Sequence, residues 1–116
     1  MSLAHVAVAA LARFGQPVVY TPQSGGGVPL SALVADFGYG FTPAGWSPEI
    51  FAGMARHAEV KIAVADRPDE PERADTITFG GRVYEIRAVR PSPATGPEKV
   101  WWVLFCVSDQ RRVGSR

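Results

Sequence analysis

The chain has 116 residues, 47% hydrophobic and 20% charged, a composition typical of one globular domain. The formal net charge of +1 excludes the strong basic field of many nucleic-acid-binding proteins, and the single Cys106 excludes an internal disulfide. Charge is nevertheless uneven along the chain. Residues 66–75 hold five acidic residues and two arginines, a net charge of −3, whereas residues 111–116 hold three arginines.

The N-terminal segment predicts an amphipathic helix over residues 3–14. Ser2 is suited to cap its start, and Gly15 to end it. No basic residue precedes this apolar run, and a bilayer needs about 20 apolar residues, so we expect a soluble, intracellular protein. The helix should pack on a sheet through a stripe with helical spacing, made of Leu3, Val6, Ala7, Ala10, Leu11 and Phe14.

Short segments rich in β-branched and aromatic residues predict the rest of the fold. Gly80 and Gly81 supply a hairpin turn, and Pro29 places the start of one strand at a sheet edge. The acidic residues 66–73 predict a solvated connector. We therefore predict a mainly β protein, a small antiparallel barrel or sandwich of about six strands with one N-terminal helix and a long aromatic loop. The predicted strands are residues 18–21, 28–37, 59–65, 75–79, 82–89 and 100–107.

None of the usual chemical motifs predicts a catalytic, cofactor or metal site. The glycines at 25–27 lack the Gly-Lys-Ser/Thr of a phosphate-binding loop, and His5 and His57 lack metal-ligand spacing. Cys106 lies in the most apolar predicted strand, where a thiol usually behaves as a buried hydrophobic group. The prolines at 68 and 71 break any calcium-loop pattern. The chain is therefore expected not to be an enzyme.

Two features favour contacts with partners. Residues 100–107 are apolar on both strand faces, so either the helix or a partner subunit must cover the second face. The glycine- and proline-rich loop at 38–48, and the tail at 108–116, are expected to order on assembly. The predicted interface residues are the aromatics and arginines of these segments: Phe37, Tyr39, Phe41, Trp46, Trp101, Trp102, Arg111 and Arg112.

Two blocks of the sequence carry a family resemblance. They are Arg13-Phe-Gly-Gln-Pro-Val-Val-Tyr20 and Ala74-Asp-Thr-Ile-Thr-Phe-Gly-Gly-Arg-Val-Tyr-Glu-Ile-Arg-Ala-Val-Arg-Pro91. The second is similar to the Gly-Asp-x-apolar-x-apolar-Gly-x-x-aromatic-x-Val-x-x-Val-x-Pro pattern of bacteriophage and prophage head–tail joining proteins of the lambda tail-attachment type. Ala74 stands where that pattern has glycine, which disfavours a turn with positive φ.

The resemblance implies a structural virion protein of the phage neck, made in the host cytoplasm. Such proteins form rings, commonly of six copies, that complete the head at the portal and give the tail its docking surface. The implied partners are further copies of the chain, portal or connector proteins and tail-tube or tail-completion proteins. A ring of this kind is also compatible with weak, non-specific DNA contact in its lumen. The residues themselves predict no cofactor and no membrane partner.

Two other functions remain open on the residues alone. A small-ligand-binding barrel would use Tyr20, Tyr39 and Tyr84 as polar groups lining a cavity. A single-strand nucleic-acid-binding barrel would stack bases on Trp101, Trp102 and Tyr84.

Overall fold

The computed structural model describes residues 3–39, 56–93 and 99–108. One helix, α1 (Leu3–Phe14), precedes six strands. The strands are β1 (Gln16–Thr21), β2 (Val28–Tyr39), β3 (Arg56–Ala63), β4 (Thr76–Phe79), β5 (Arg82–Ser92) and β6 (Trp101–Ser108). They form a closed barrel in the order β1-β2-β3-β6-β5-β4, and every neighbouring pair is antiparallel. The predicted mainly β barrel with one N-terminal helix is confirmed.

Helix α1 has the predicted bounds, but its buried stripe is narrower than the spacing predicted. Ala7 is buried and Leu11 half-buried, whereas Val6 is 53% and Phe14 73% exposed. A helix lying on a convex barrel touches it along a narrow line, so flanking apolar positions stay in solvent. The Gly15 N–H donates to the Leu11 carbonyl (2.9 Å), and a Cβ on Gly15 would lie 2.6 Å from that oxygen, so glycine is required there.

Strand bounds differ from the prediction where pairing extends a strand or a turn shortens it. Strand β3 begins at Arg56 rather than at residue 59, because Arg56 and His57 pair with Ser108 and Val107 of β6. It ends at Ala63 because residues 64–66 form a turn. Strand β5 continues to Ser92, and β2 includes two residues assigned to the loop, with a bulge between Asp36 and Gly38. The remaining loop and tail residues, 40–55 and 109–116, lie outside the described residues.

Pro29 lies where only one side of β2 is paired. It pairs with Val19 of β1, whereas the described pairing with β3 begins further along, at Ala32. A proline without a backbone N–H is tolerated at such a position, as an edge prediction requires, even though the barrel as a whole is closed.

The barrel interior is filled by inward-facing side chains from all six strands. The predicted alternation in β4 is confirmed, since Ile77 and Phe79 are buried and the intervening Thr78 is not. Gly80 and Gly81 both have positive φ, as the predicted hairpin requires. The buried members of this interior cluster are Val18, Tyr20, Ala32, Ala58, Val60, Ile62, Ile77, Phe79, Tyr84, Ile86, Trp102, Leu104 and Cys106.

Register defines two ends of the barrel. At the end called here the loop end, Tyr39, Arg56 and Ser108 are successive partners on β2, β3 and β6. At the opposite end, called here the connector end, Ala63 pairs with Trp101, and Thr21 pairs with Thr76. The segment that links residues 40–55 to the barrel and the one that leads to residue 109 therefore both leave from the loop end. Residues 64–75 span the connector end.

Candidate interaction surfaces

The connector 64–75 is bound to the barrel through the buried carboxylate of Asp75. Tyr20 is an inward-facing residue of β1, and its hydroxyl donates a hydrogen bond to Asp75 Oδ2. The backbone N–H of Gln23 donates to Oδ1 (3.1 Å), and that of Glu72 donates to Oδ2 (3.2 Å). One side chain thus joins the first strand, the β1–β2 turn and the connector. A buried carboxylate needs such donors to offset the loss of its hydration.

Backbone bonds around Asp75 complete this connection. The Ile86 N–H donates to the Asp75 carbonyl (2.9 Å), and the Ala74 N–H donates to the Ile86 carbonyl (3.0 Å). Ala74 has a φ of 76°, so the turn before Asp75 keeps the left-handed conformation despite the missing glycine. The turn therefore forms although alanine disfavours its conformation, because the backbone hydrogen bonds on either side hold it in place.

The connector is less exposed to solvent than its charged sequence predicted, because Arg67 packs against the barrel. Its guanidinium lies 4.3 Å from the centroid of the Tyr20 ring, and its carbonyl accepts a hydrogen bond from Trp102 Nε1 (2.7 Å). Pro71 is buried as well. The remaining acidic side chains, Asp66, Asp69, Glu70 and Glu72, are exposed. The connector end therefore presents an acidic surface on a segment that is fixed to the barrel by hydrogen bonds.

Burial sets the ionisation of the interior groups. Burial, together with the hydrogen bond to Asp75, raises the pKa of Tyr20 well above its usual value. Burial alone raises the pKa of the Cys106 thiol, which is fully buried. Both groups are therefore neutral near pH 7, and the thiol lacks the thiolate character of a nucleophile. Among the described residues, no group of histidine, cysteine and acidic side chains could hold a metal ion.

The two tryptophans of β6 lie on opposite sides of the barrel wall. Trp102 is 6% exposed and belongs to the interior cluster. Trp101 lies outside and is half-buried against a second cluster, which includes Ala7 and Leu11 of α1. Trp102 is therefore a core residue in this structure, whereas Trp101 lies on the outer surface beside α1.

The outer face of β6 is shielded within one chain. Phe105 is fully buried and Val107 is 3% exposed, although both point away from the interior cluster. The His57 ring lies 5.7 Å from the Phe105 ring, and α1 covers the Trp101 end of the strand. Helix α1 thus covers one end of this face, Phe105 and Val107 are buried within the chain, and Trp101 and Val103 stay half-buried.

The other predicted interface residues map to the loop end or beyond the described part of the chain. Phe37 is half-buried beside the β2 bulge, where Arg56 Nη2 and Asp36 Oδ2 form an ion pair at 2.8 Å. Tyr39 is the last residue of β2. Trp101 lies at the opposite end of β6 from Ser108, so the predicted set does not form one cluster. Phe41, Trp46, Arg111 and Arg112 lie outside the described residues.

An uncharged outer surface was not predicted from the sequence. Outward residues Pro29, Val19, Thr78 and Val83 are successive register partners across β2, β1, β4 and β5. Val19 is 39% and Val83 57% exposed. We call this surface the valine face; it consists of Pro17, Val19, Thr21, Pro29, Ser31, Thr76, Thr78 and Val83. The alternation of valine, threonine and proline on these strands was the available signal.

Exposed apolar side chains also occur on α1, where Val6, Val8 and Phe14 are 53%, 61% and 73% exposed. Successive helical residues are rotated by about 100°, so Val6 and Val8 lie on opposite flanks of the contact made by Ala7 and Leu11 and form no common face. The Arg13 guanidinium lies 5.9 Å from the Phe14 ring centroid. No described helix is long and apolar enough to cross a membrane.

The interior packing bears on the two alternative functions. Tyr20 and Tyr84 are buried among other side chains, and Tyr84 stacks on Phe79 at 4.4 Å between ring centroids. Trp102 and Tyr84 therefore offer no exposed ring on which a base could stack, and Tyr20 already donates to Asp75.

Comparison with protein families identifies a match. The model of a family described as phage head-tail attachment protein matches residues 1–104. No curated protein matches the chain.

Proposed function

Because the chain belongs to the phage head-tail attachment protein family, a structural family of the virion neck, we propose that it forms a ring between head and tail. The ring completes the head at the portal and provides the surface on which the tail docks. Head and tail components are accordingly its partners, and further copies of the chain are its neighbours within the ring.

The observation that carries this proposal, beside the family match, is the chemical difference between the two ends of the barrel. The connector end presents exposed acidic residues on a segment held by Asp75. The loop end is where Tyr39, Arg56 and Ser108 lie side by side, adjoining the aromatic loop and the arginine-bearing tail of the sequence. A subunit between two different neighbours needs two different ends, so we assign one neighbour to each.

The loop end is the proposed docking end for the second partner. Its candidate contact residues are the predicted aromatics Phe37, Tyr39, Phe41 and Trp46, with Arg111 and Arg112. Aromatic and arginine side chains supply most of the binding energy in protein interfaces, which favours these residue types at a docking surface. Trp101 lies at the other end and is proposed only for contacts near α1.

The test is complementation of phage heads made without this protein. Heads are incubated with purified protein and tails, and joined particles are counted by electron microscopy and by infectivity. The double variants Phe41→Ser/Trp46→Ser and Arg111→Ala/Arg112→Ala are expected to lower the yield of joined particles severely. Lys61→Ala/Arg90→Ala is the matched control, since it removes two positive charges from the barrel wall between the two ends.

Each result bears on a different part of the proposal. Wild-type yields from both loop-end variants, with unchanged melting temperatures, would remove the loop end as the docking surface. Failure of the wild-type protein to restore joining would overturn the joining function itself. An equal loss in the control variant would show that net positive charge, rather than its location, matters.

A further inference from the structure

The interior side of the barrel ends in charged residues at the loop end. Asp36 is the register partner of Ala58, and Arg56 lies two residues before Ala58 on β3. Arg82 lies two residues before Tyr84 on β5. Residues two apart on a strand share a face, and both Ala58 and Tyr84 belong to the interior cluster. We call Asp36, Arg56, Arg82 and Tyr84 the charged mouth, because they border the core where the barrel ends.

The members of the charged mouth lie close to one another. Arg56 Nη2 lies 2.8 Å from Asp36 Oδ2, and these side chains are 28% and 38% exposed. The pKa of Tyr84 reflects the same proximity: burial raises it most, Asp36 raises it further, and the guanidiniums of Arg56 and Arg82 lower it. The Tyr84 ring is fixed by stacking on Phe79. Three charges thus surround one buried tyrosine, at a partly shielded position where charge interactions are stronger than in open solvent.

Positive charge exceeds negative charge at this end of the barrel. The charged mouth holds two arginines and one aspartate, a net charge of +1. The two segments that leave from the loop end, residues 40–55 and 109–116, together hold three arginines and two acidic residues, again a net charge of +1. Residues 64–75, which span the connector end, have a net charge of −3. The two ends of the barrel therefore attract partners of opposite charge.

We infer that the charged mouth binds a carboxylate on an acidic segment of the partner that docks at the loop end. A guanidinium presents parallel N–H donors that match the two oxygens of a carboxylate. Asp36 orients the Arg56 guanidinium, and Arg82 supplies positive charge in excess of that ion pair. The inference rests on the docking end proposed above and identifies the chemistry of what docks there.

The test is a titration with synthetic hexaglutamate at low ionic strength, where charge interactions are least screened. The side-chain Nε–H resonances of Arg56 and Arg82 are followed by NMR in isotope-labelled protein, and both are expected to shift. Arg82→Gln should weaken binding about tenfold, whereas Asp36→Asn should strengthen it by removing a competing carboxylate. Arg90→Gln is the matched control, because it removes the same charge from an exposed position on the same strand and should leave binding unchanged.

A second probe, single-stranded hexathymidylate, separates carboxylate recognition from phosphate recognition. Tighter binding of hexathymidylate than of hexaglutamate at Arg56 and Arg82 would overturn the inference in favour of a nucleic-acid contact. Unshifted resonances of these two arginines, or an equal loss of affinity in Arg90→Gln, would also overturn it.

The joining assay separates this contact from the joining function. Arg82→Glu is expected to lower the yield of joined particles strongly, whereas Arg90→Glu is expected to retain the wild-type yield. A wild-type yield from Arg82→Glu, at an unchanged melting temperature, would overturn the inference and leave the joining function standing. Absence of joined particles with wild-type protein would overturn both.

Discussion

Tyr20 and Asp75 are 55 positions apart in the sequence, yet the hydroxyl of one donates a buried hydrogen bond to the carboxylate of the other. Through this contact the first strand of the barrel is bound to the residue that precedes β4. The same carboxylate accepts the N–H groups of Gln23 and Glu72. Its role here is structural: it holds the acidic connector in place at one end of the barrel.

Removing either member of this pair is expected to destabilise the fold. Tyr20→Phe leaves a buried carboxylate with one donor fewer, which should cost about 1.5–3 kcal/mol of unfolding free energy. Asp75→Asn weakens the same bond from the other side. The loss in the double variant should be smaller than the sum of the two single losses, because they share one interaction. Urea denaturation of the four proteins measures this coupling; additive losses would contradict it.

Stability is expected to decline at alkaline pH in a way that depends on Tyr20. Burial raises the folded-state pKa of Tyr20 above its ordinary value of 10.0. Its stabilising contribution is therefore complete below about pH 10 and is lost as the pH rises above that value, because the unfolded chain then releases the phenolic proton first. Denaturation series between pH 8 and about pH 11 should show a smaller decline in Tyr20→Phe than in the wild type. Parallel declines would exclude this linkage.

Ala74 is expected to limit stability through its backbone conformation. A non-glycine residue at a φ of 76° is strained by about 1–2 kcal/mol. Ala74→Gly removes this strain but gives the unfolded chain more freedom, so the net gain should be about 0.5–1 kcal/mol. Thermal unfolding measures it as a rise in Tm of a few degrees.

Two glycines provide the control for that substitution. Gly81 has a φ of 75°, Gly26 is not in the left-handed region, and neither has a neighbouring atom that an added Cβ would meet within 4 Å. Gly81→Ala should therefore lower Tm, whereas Gly26→Ala should leave it unchanged or raise it slightly. Equal effects at both positions would show that conformation is not the cause.

The adjacent tryptophans are expected to differ in their contribution to stability. Trp102→Phe loses the Nε1 hydrogen bond to the Arg67 carbonyl and leaves a void in the interior, which should cost about 2–4 kcal/mol. Trp101→Phe changes a half-buried side chain beside α1 and should cost about 1 kcal/mol or less. Equilibrium unfolding in guanidinium compares the two; the reverse order would contradict the positions assigned to them.

The fold was largely predictable because its signals are local. Alternation between Asp75 and Phe79, the turn glycines at 80 and 81 and the apolar run at 100–107 each predict a strand or turn from neighbouring residues. The bounds of β3 were not predictable, since Arg56 and His57 are polar residues that become strand only by pairing with Ser108 and Val107. Likewise, composition could not show that Trp102 faces inward and Trp101 outward, because the two faces of this strand are equally apolar.

The amino-acid sequence by itself determined the class of fold, its N-terminal helix, its hairpin and the family to which it belongs, because turn chemistry and apolar alternation act over a few residues. Only the tertiary structure decided which residues meet. Barrel closure brings Tyr20 to Asp75, places Tyr39 beside Arg56 and Ser108, and aligns Val19 with Thr78 and Val83 in an exposed row. Those relationships depend on strand register between distant segments, and register is set by the packing of the whole barrel rather than by any one strand.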